Sequence, residues 1–333
     1  MTLKTFHFAG VASMNVTLGV PRIKEIINAA KVINTPIIET ILDNEKDERS
    51  ARIVKARIEK TYLADIASII EEVWGRDYAY IGVHIDQQTI AKLQLEVSTH
   101  HIAMAIRKAP RLRITEDRIQ VIGPSDRRRI RVYLPRDDEN GYYSLKTLKR
   151  EIGKIVICGI PAANRAVVSN EERGKYKLLV EGYGLKQVMT TPGVLGKETF
   201  TNHVMEMRET LGIEAARRSV YIEIQNTMQR HGMSIDPRHV MLLADVMTYK
   251  GEVLGITRFG VAKMKDSVLM LASFEKTTDH LFDAALFGKT DGIEGVSESI
   301  IMGNPAKGLG TGLPALVSAK PKLRPPRRLV FDN

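Results

Sequence analysis

The chain has one cysteine in 333 residues, Cys158, which excludes an internal disulfide framework and fits a reducing compartment. Cys158 is expected as a core thiol, and the single tryptophan, Trp74, as a core anchor rather than a stacking platform. No apolar run reaches the roughly 18 residues of a membrane span, and no basic segment followed by an apolar stretch opens the chain. A soluble, unsecreted chain is therefore expected, with the Asn15-Val16-Thr17 sequon unused. Gly288-Lys289-Thr290 lacks the upstream glycine of a phosphate-cradling loop, and the glycines at 308, 310 and 312 read as a flexible turn. His100 and His101 have no cysteine or carboxylate at zinc-ligand spacing and read as surface helix residues. No compact Asp-x-Asp-x-Asp cluster occurs, so the chain alone has no visible means of holding catalytic metal ions.

What is present is 44% hydrophobic residues, enough for a substantial core, and a length that fits two or three domains. The formal net charge is +10 and the pI is near 9.5, which points to a polyanionic partner, nucleic acid ahead of a membrane surface.

The stretch from Met1 to Lys31 concentrates the candidate chemistry. Thr2 to Phe8 can form a helical turn with Leu3, Phe6 and Gly10 on one side and Lys4 and His7 nearby, while Ala9 to Leu18 has no usable period and is expected to be mobile. Gly19 permits a bend, Pro21 suits a first helical position, and Ile23, Ile26, Ile27 and Ala30 follow at i, i+3, i+4 and i+7. A lone histidine in an aromatic segment is ordinarily a partly buried structural residue, and on residue chemistry alone that reading of His7 leads.

Further along, Thr35 to Leu42 reads as extended and Asp43 to Glu48 as a solvated turn opening a helix. Ala51, Val54, Ile58 and Tyr62 keep a helical stripe, and Leu63, Ile66, Ala67, Ile70, Val73 and Trp74 predict its continuation to Gly75. From Asp77 to Met189 the texture changes. Ile81, Val83 and Ile85 alternate with Gly82, His84 and Asp86, and Ile130, Val132 and Leu134 alternate with polar neighbours. Helices are expected after Ser98 and around Leu145, Leu148 and Ile152, and strands over 154–158, 165–168 and 176–180, making a separate α+β domain. Arg107, Lys108, Arg111, Arg113 and Arg127 to Arg131 crowd there, as a solvated charged face or as contacts to DNA phosphate. Thr190 to Glu206 reads as a loop. Ile213 to Gly232 is the strongest helix, Asp236-Pro237 launches another, and a third is predicted over 273–286 with its stop at Gly288.

Thr5-Phe6-His7-Phe8-Ala9-Gly10-Val11 and Asn15-Val16-Thr17-Leu18-Gly19-Val20-Pro21-Arg22 stand in the order of the trigger loop in the largest subunit of multisubunit DNA-directed RNA polymerases, and the chain resembles that family. Lys4, with Ala12-Ser13-Met14 near the tip, is more similar to the polymerase III branch than to the polymerase II branch, where asparagine stands in place of Lys4. The segments from Gly212 to Ile224, from His231 to Ala285 and from Val296 to Gly303 resemble the C-terminal cleft and clamp foot of that branch, and the middle of the chain resembles its jaw more loosely.

The resemblance implies a C-terminal portion of a polymerase III largest subunit with an α+β, multidomain organisation. Residues 1–31 would be the trigger loop and its flanking helices, 32–75 a helical cleft segment, and 76–189 an inserted jaw-like domain. Residues 190–318 would be the C-terminal cleft, switch region and clamp foot, and 319–333 a basic, proline-rich tail. It implies that Leu3 packs on the base of an incoming nucleoside triphosphate, that His7 reaches its phosphates beside Lys4, that Gly10 and Gly19 are hinges, and that Arg238, His239 and Arg258 touch nucleic acid. Mg2+ would be held by residues outside this chain. Partners would be template DNA, nascent RNA, nucleoside triphosphates, the rest of the largest subunit, the second-largest subunit and other polymerase III subunits, with no membrane and a nuclear location. Met1 would be internal to a longer polypeptide or the start of a truncated gene. The competing readings are a nonenzymatic nucleic-acid-binding or scaffold fragment, and the largest subunit of another nuclear or archaeal polymerase class.

Overall fold

The computed structural model describes residues 16–17, 19–75, 78–109, 112, 114–123, 129–134, 141–172 and 175–306. These fall into two compact units that divide between Gly255 and Ile256. Leu3, Lys4, His7 and Gly10, and the tail from 319, lie outside the described residues.

The first unit opens with α1 (Val20–Ile27), where Gly19 is the N-cap and Pro21 sits in the first turn. β1 (Ile37–Ile41) follows, then α2 (Glu48–Ile58), whose start is fixed by the Asp47 carboxylate accepting from the Arg49 amide. Ala51, Val54 and Ile58 line the buried side of α2. β2 (Thr61–Tyr62) and the one-turn α3 (Leu63–Ile66) lead into β3 (Ala67–Trp74).

Here the expected helix from Leu63 to Gly75 ends after one turn and gives way to a strand. Ile66, Ile70 and Val73 satisfy a helical spacing, but the β-branched and aromatic residues of β3 suit a pleated surface and pair with β4 (Ala79–Ile85). The register places Ile70 opposite Val83 and Glu72 opposite Ile81. Trp74 is not a core anchor: it ends the strand with its ring beside Gly141 and remains 60% exposed.

After β4, Asp86 caps α4 (Gln87–Lys92) and Ser98 caps α5 (Thr99–Lys108). β5 (Ile119–Ile122), β6 (Arg129–Tyr133) and α6 (Gly141–Ile152) complete a four-stranded antiparallel sheet in the order β3-β4-β6-β5 with helices on one face. Ile81, Val83, Ile130 and Val132 from the sheet meet Ile102 and Ile106 of α5 and Leu145, Leu148 and Ile152 of α6 in one core. Each fully buried aliphatic side chain of this kind contributes about 1.5 to 3 kcal/mol. Glu72, on the helix side of β3, reaches the edge of that core and takes ion pairs from Lys146 and Lys149 of α6.

β7 (Val156–Cys158) pairs with β2, and Cys158 is half-buried there rather than fully enclosed. β8 (Ala163–Glu172) and β9 (Lys175–Gly182) then form a long hairpin that joins β1 and β10 (Phe200–Thr201) in a second antiparallel sheet, ordered β10-β1-β9-β8. Its ladder crosses the division expected at 76–189, since β8 and β9 lie inside that segment and β1 and β10 outside it. The division at 76 falls within the β3–β4 hairpin. The stretch 190–206, expected as a loop, carries β10 and starts α8 (Val204–Leu211), because α7 (Leu185–Met189) ends in a turn that returns the chain to the sheet edge. α9 (Ile213–Arg230) packs with α1, α8 and α10 (Pro237–Thr248), the last capped by Asp236.

The second unit is helical among its described residues. α11 (Arg258–Met264), capped by Thr257, has no counterpart in the sequence reading. The helix predicted over 273–286 is divided into α12 (Val268–Phe274) and α13 (Thr277–Phe287) by Lys276 at φ 54°. α13 stops at Gly288, φ 61°, as the glycine predicts, and α14 (Val296–Met302) follows.

Candidate functional site

Among the described residues, Thr17 and Gly19 lead into the first unit. Gly19 has φ 82° and ψ −148°, a conformation open essentially to glycine alone, and the chain turns there into α1. Both sides of that turn are tied down. The Thr17 amide donates to the Thr35 hydroxyl at 3.0 Å, and the two threonine hydroxyls share a hydrogen bond at 2.8 Å.

On the other side, Arg22 of α1 is 3% exposed, so its guanidinium needs partners in place of water. It donates from Nη1 to Glu25 Oε2 at 3.0 Å, and from Nη2 to the Asn202 carbonyl at 2.5 Å and Glu223 Oε2 at 3.1 Å. Asn202 follows β10 and is itself held: its amide group donates to the Thr35 carbonyl and accepts from the Ile37 amide. Glu223 belongs to α9. Burial pushes its carboxyl above the usual range, and the Arg22 charge and hydrogen bond oppose that rise. Thus α1, the sheet edge and α9 meet at one guanidinium.

A cavity of about 460 Å³ adjoins this junction, lined among others by Thr17, Arg22, Lys177, Asn202, Glu223 and Arg230. Beside it, His203 donates from Nε2 to the Lys31 carbonyl at 3.1 Å and accepts from the Glu206 amide at Nδ1. Burial pushes the His203 imidazole below its ordinary value. Its hydrogen bonds tie the 31–37 segment to α8, a structural role.

The residues expected to touch nucleic acid divide between the units. Arg238 and His239 stand exposed in the first turn of α10, in the first unit. Arg258 stands exposed at the start of α11, in the second, its guanidinium 4.9 Å from the centre of the Phe259 ring. No carboxylate lies within ion-pair distance of Arg238 or Arg258 among the described residues, which leaves both charges available to a polyanion. In the expected jaw-like segment, Arg107, Lys108 and Arg129 are exposed, and Arg131 covers the Tyr80 ring at 4.9 Å. His100 and His101 are exposed on α5.

Among the described residues no group of three or more His, Cys, Asp or Glu side chains could hold a metal ion. These residues do not fit a magnesium site. No described helix is long and apolar enough to cross a membrane.

The site's central residue, Arg22, was not singled out from sequence. The available signal was its spacing: it lies four residues before the buried Ile26, on the inner side of α1. Glu223, 201 positions away, has no local signature at all.

The family model for RNA polymerase Rpb1, domain 5, matches residues 1–269, and the chain belongs to that family. It is similar to DNA-directed RNA polymerase III subunit RPC1 of Saccharomyces cerevisiae, with 54% identity covering 100% of this chain and 24% of the relative. The Homo sapiens protein of the same name is 55% identical, again over 100% of this chain and 24% of the relative. That of Trypanosoma brucei brucei is 41% identical over 93% of this chain and 21% of the relative. The chain spans about a quarter of the length of these curated relatives.

Proposed function

We propose that this chain works as part of the catalytic largest subunit of a nuclear DNA-directed RNA polymerase III, supplying a mobile N-terminal loop and surfaces for nucleic acid. The observation that carries this reading is the identity of 54 to 55% over the whole chain to RPC1 proteins of yeast and human. The rest of the subunit, the second-largest subunit and the other polymerase subunits are its partners. Template DNA, nascent RNA and nucleoside triphosphates are its ligands, and small non-coding RNAs such as transfer RNA and 5S ribosomal RNA are the products.

In this reading residues 1–18 close on the incoming triphosphate. Leu3 packs on the base, and Lys4 and His7 face the phosphates. Closure orders the triphosphate and excludes water, which lowers the barrier by positioning. His7 acts as a hydrogen-bond donor to the phosphates, in preference to a proton donor, because a loop that opens and closes in each cycle is poorly suited to hold an acid of tuned pKa. Gly10 and Gly19 are the hinges. Gly19 is supported by its positive φ between the Thr17 and Arg22 attachments. Arg238, His239 and Arg258 meet phosphates of DNA, a reading their exposure supports. Magnesium is held by residues outside this chain and supplies the metal chemistry of phosphodiester synthesis there.

The test uses the assembled polymerase carrying this chain. Gly19→Ala forces a Cβ into a backbone region that disfavours it, so it should change the elongation rate while DNA affinity stays at the parental value. A binding defect with unchanged elongation rules out the hinge. Arg238→Ala and Arg258→Ala should each lower the salt slope of DNA binding by about one unit; an unchanged slope makes them structural.

A further inference from the structure

We propose that the open face of the β3-β4-β6-β5 sheet is a further nucleic-acid site, which holds a single strand by stacking its bases on tyrosine and arginine side chains. One face of this sheet is taken: α5 and α6 meet Ile81, Val83, Ile130 and Val132 there. Strand alternation sends the residues between these to the opposite face. The register fixes their neighbours. Tyr80 of β4 lies between Val73 of β3 and Tyr133 of β6, Gly82 between Glu71 and Arg131, and His84 between Ile69 and Arg129. Gln120 of β5 lies beside Arg131. From Tyr80 to His84 this row runs about 13 Å along the strand, a length suited to about two or three stacked bases.

The side chains of this face define the ligand. The Tyr78 and Tyr80 rings stack with centres 6.0 Å apart at 20°, and Tyr80 meets Tyr133 at 5.3 Å. Arg131 lies over the Tyr80 ring at 4.9 Å and also hydrogen-bonds the Tyr133 side chain. Tyr80 is thereby covered, whereas Tyr78 is 55% exposed and Tyr133 and Arg131 are half-buried. Tyr80 and Tyr133 therefore act as supports that fix the guanidinium, and a fixed guanidinium offers an unpaired base a planar cationic surface beside the tyrosine rings. Glu71 bends over Gly82 and lies 3.0 Å from His84 Nε2, so its charge is met within the face. Arg129 is exposed at the end of the row, where it can take a phosphate, in keeping with the formal net charge of +10. Rings and charge together select a single strand. In a duplex the base faces are stacked on one another, so Arg129 would find phosphate but the tyrosines and the Arg131 plane would find nothing to cover.

The test uses the full chain with Arg238 and Arg258 both replaced by alanine, so that the contacts proposed for them do not contribute. Fluorescence anisotropy compares labelled thymidine and uridine strands of about ten nucleotides with a duplex of the same length. The single strands should bind more tightly than the duplex, and a preference for either one names the source as DNA or RNA while supporting the site. Tyr78→Ala and Tyr133→Ala should each weaken single-strand binding by about tenfold, the loss expected for one stacked base. Arg131→Lys keeps the charge and removes the plane, so it should weaken binding by a similar factor with the salt slope unchanged. Tyr133→Phe keeps the ring and should bind near the parental value. Tyr78→Ala removes an exposed ring outside the core and should melt at the parental temperature, so its loss of binding is not a loss of fold. If the duplex or polyglutamate binds as tightly as the single strands, or if Tyr78→Ala and Arg131→Lys both bind at the parental value, the face is a charged patch only and the inference is overturned.

Discussion

In the β3-β4-β6-β5 sheet, Ile81, Val83, Ile130 and Val132 are wholly removed from solvent between helices α5 and α6. In the second unit, α13 has no buried residue, and Phe282, Leu286 and Phe287 remain 69%, 65% and 70% exposed. Both regions are rich in large apolar side chains, so apolar content does not by itself locate a core. Burial in the first unit follows from a period that matches the element: alternation in β4 and β6 presents one face, and the stripes of α5 and α6 cover it. In α13, Leu281, Phe282, Ala284, Ala285, Leu286 and Phe287 run around the helix and no one face gathers them. Charges show the same contrast. Arg22 in the first unit is enclosed with its acids, whereas Lys276 and Asp279 in the second meet in an open i, i+3 pair with about half of each side chain in solvent.

The largest difference between the regions should come from those charges. Arg22→Ala leaves Glu223 enclosed without its partner and should cost about 3 to 5 kcal/mol in chemical unfolding of the chain. Asp279→Ala should cost under about 1 kcal/mol. Equal costs would mean that the enclosure of Arg22 does not matter. Next, Ile130→Ala opens a void in the sheet core and should lose about 2 to 5 kcal/mol, while Phe287→Ala should stay within about 0.5 kcal/mol of the parent. A large loss at Phe287 would show that α13 is covered within the chain.

The smallest effect concerns Asp291, which orders part of the second unit. Its carboxylate accepts from the Leu269 and Ile293 amides and the Ser267 hydroxyl, and these bonds hold it below the usual carboxylate range. A folded-state pKa below the unfolded value gives stability that is present at neutral pH and lost as the pH falls through the folded pKa. Asp291→Asn, which keeps an accepting oxygen but loses the charge, should therefore unfold slightly more easily than the parent at pH 7. The gap between variant and parent should shrink below about pH 4. A gap that is constant with pH would remove the carboxylate's charge from the account.

Local chemistry was readable from the sequence. Asp47, Ser98, Asp236 and Gly288 punctuate helices where short polar or glycine residues suggest, because a cap is satisfied within three residues of itself. Alternation in β4 and β6 was equally plain. What sequence did not give depends on distant partners. β3 carries a helical spacing and becomes a strand because β4 offers it a ladder, and the two residues of β10 are a strand only beside β1. The motif around His7 was recognisable as a pattern, but its support was not: Arg22 finds Asn202 and Glu223 across 180 and 201 positions, a pairing that no periodicity records.

The most direct test of the central claim is single-nucleotide addition by the assembled polymerase at saturating nucleoside triphosphate, comparing His7→Ala and His7→Gln with the parent across pH. The loop-closing account predicts that His7→Ala is slow with DNA binding intact and that His7→Gln, which keeps a hydrogen-bond donor, lies closer to the parent. Glutamine as poor as alanine would shift His7 to proton donation, a role worth roughly 10² to 10⁴ in rate. Addition by His7→Ala at the parental rate would contradict the claim that this segment closes on the nucleotide through His7.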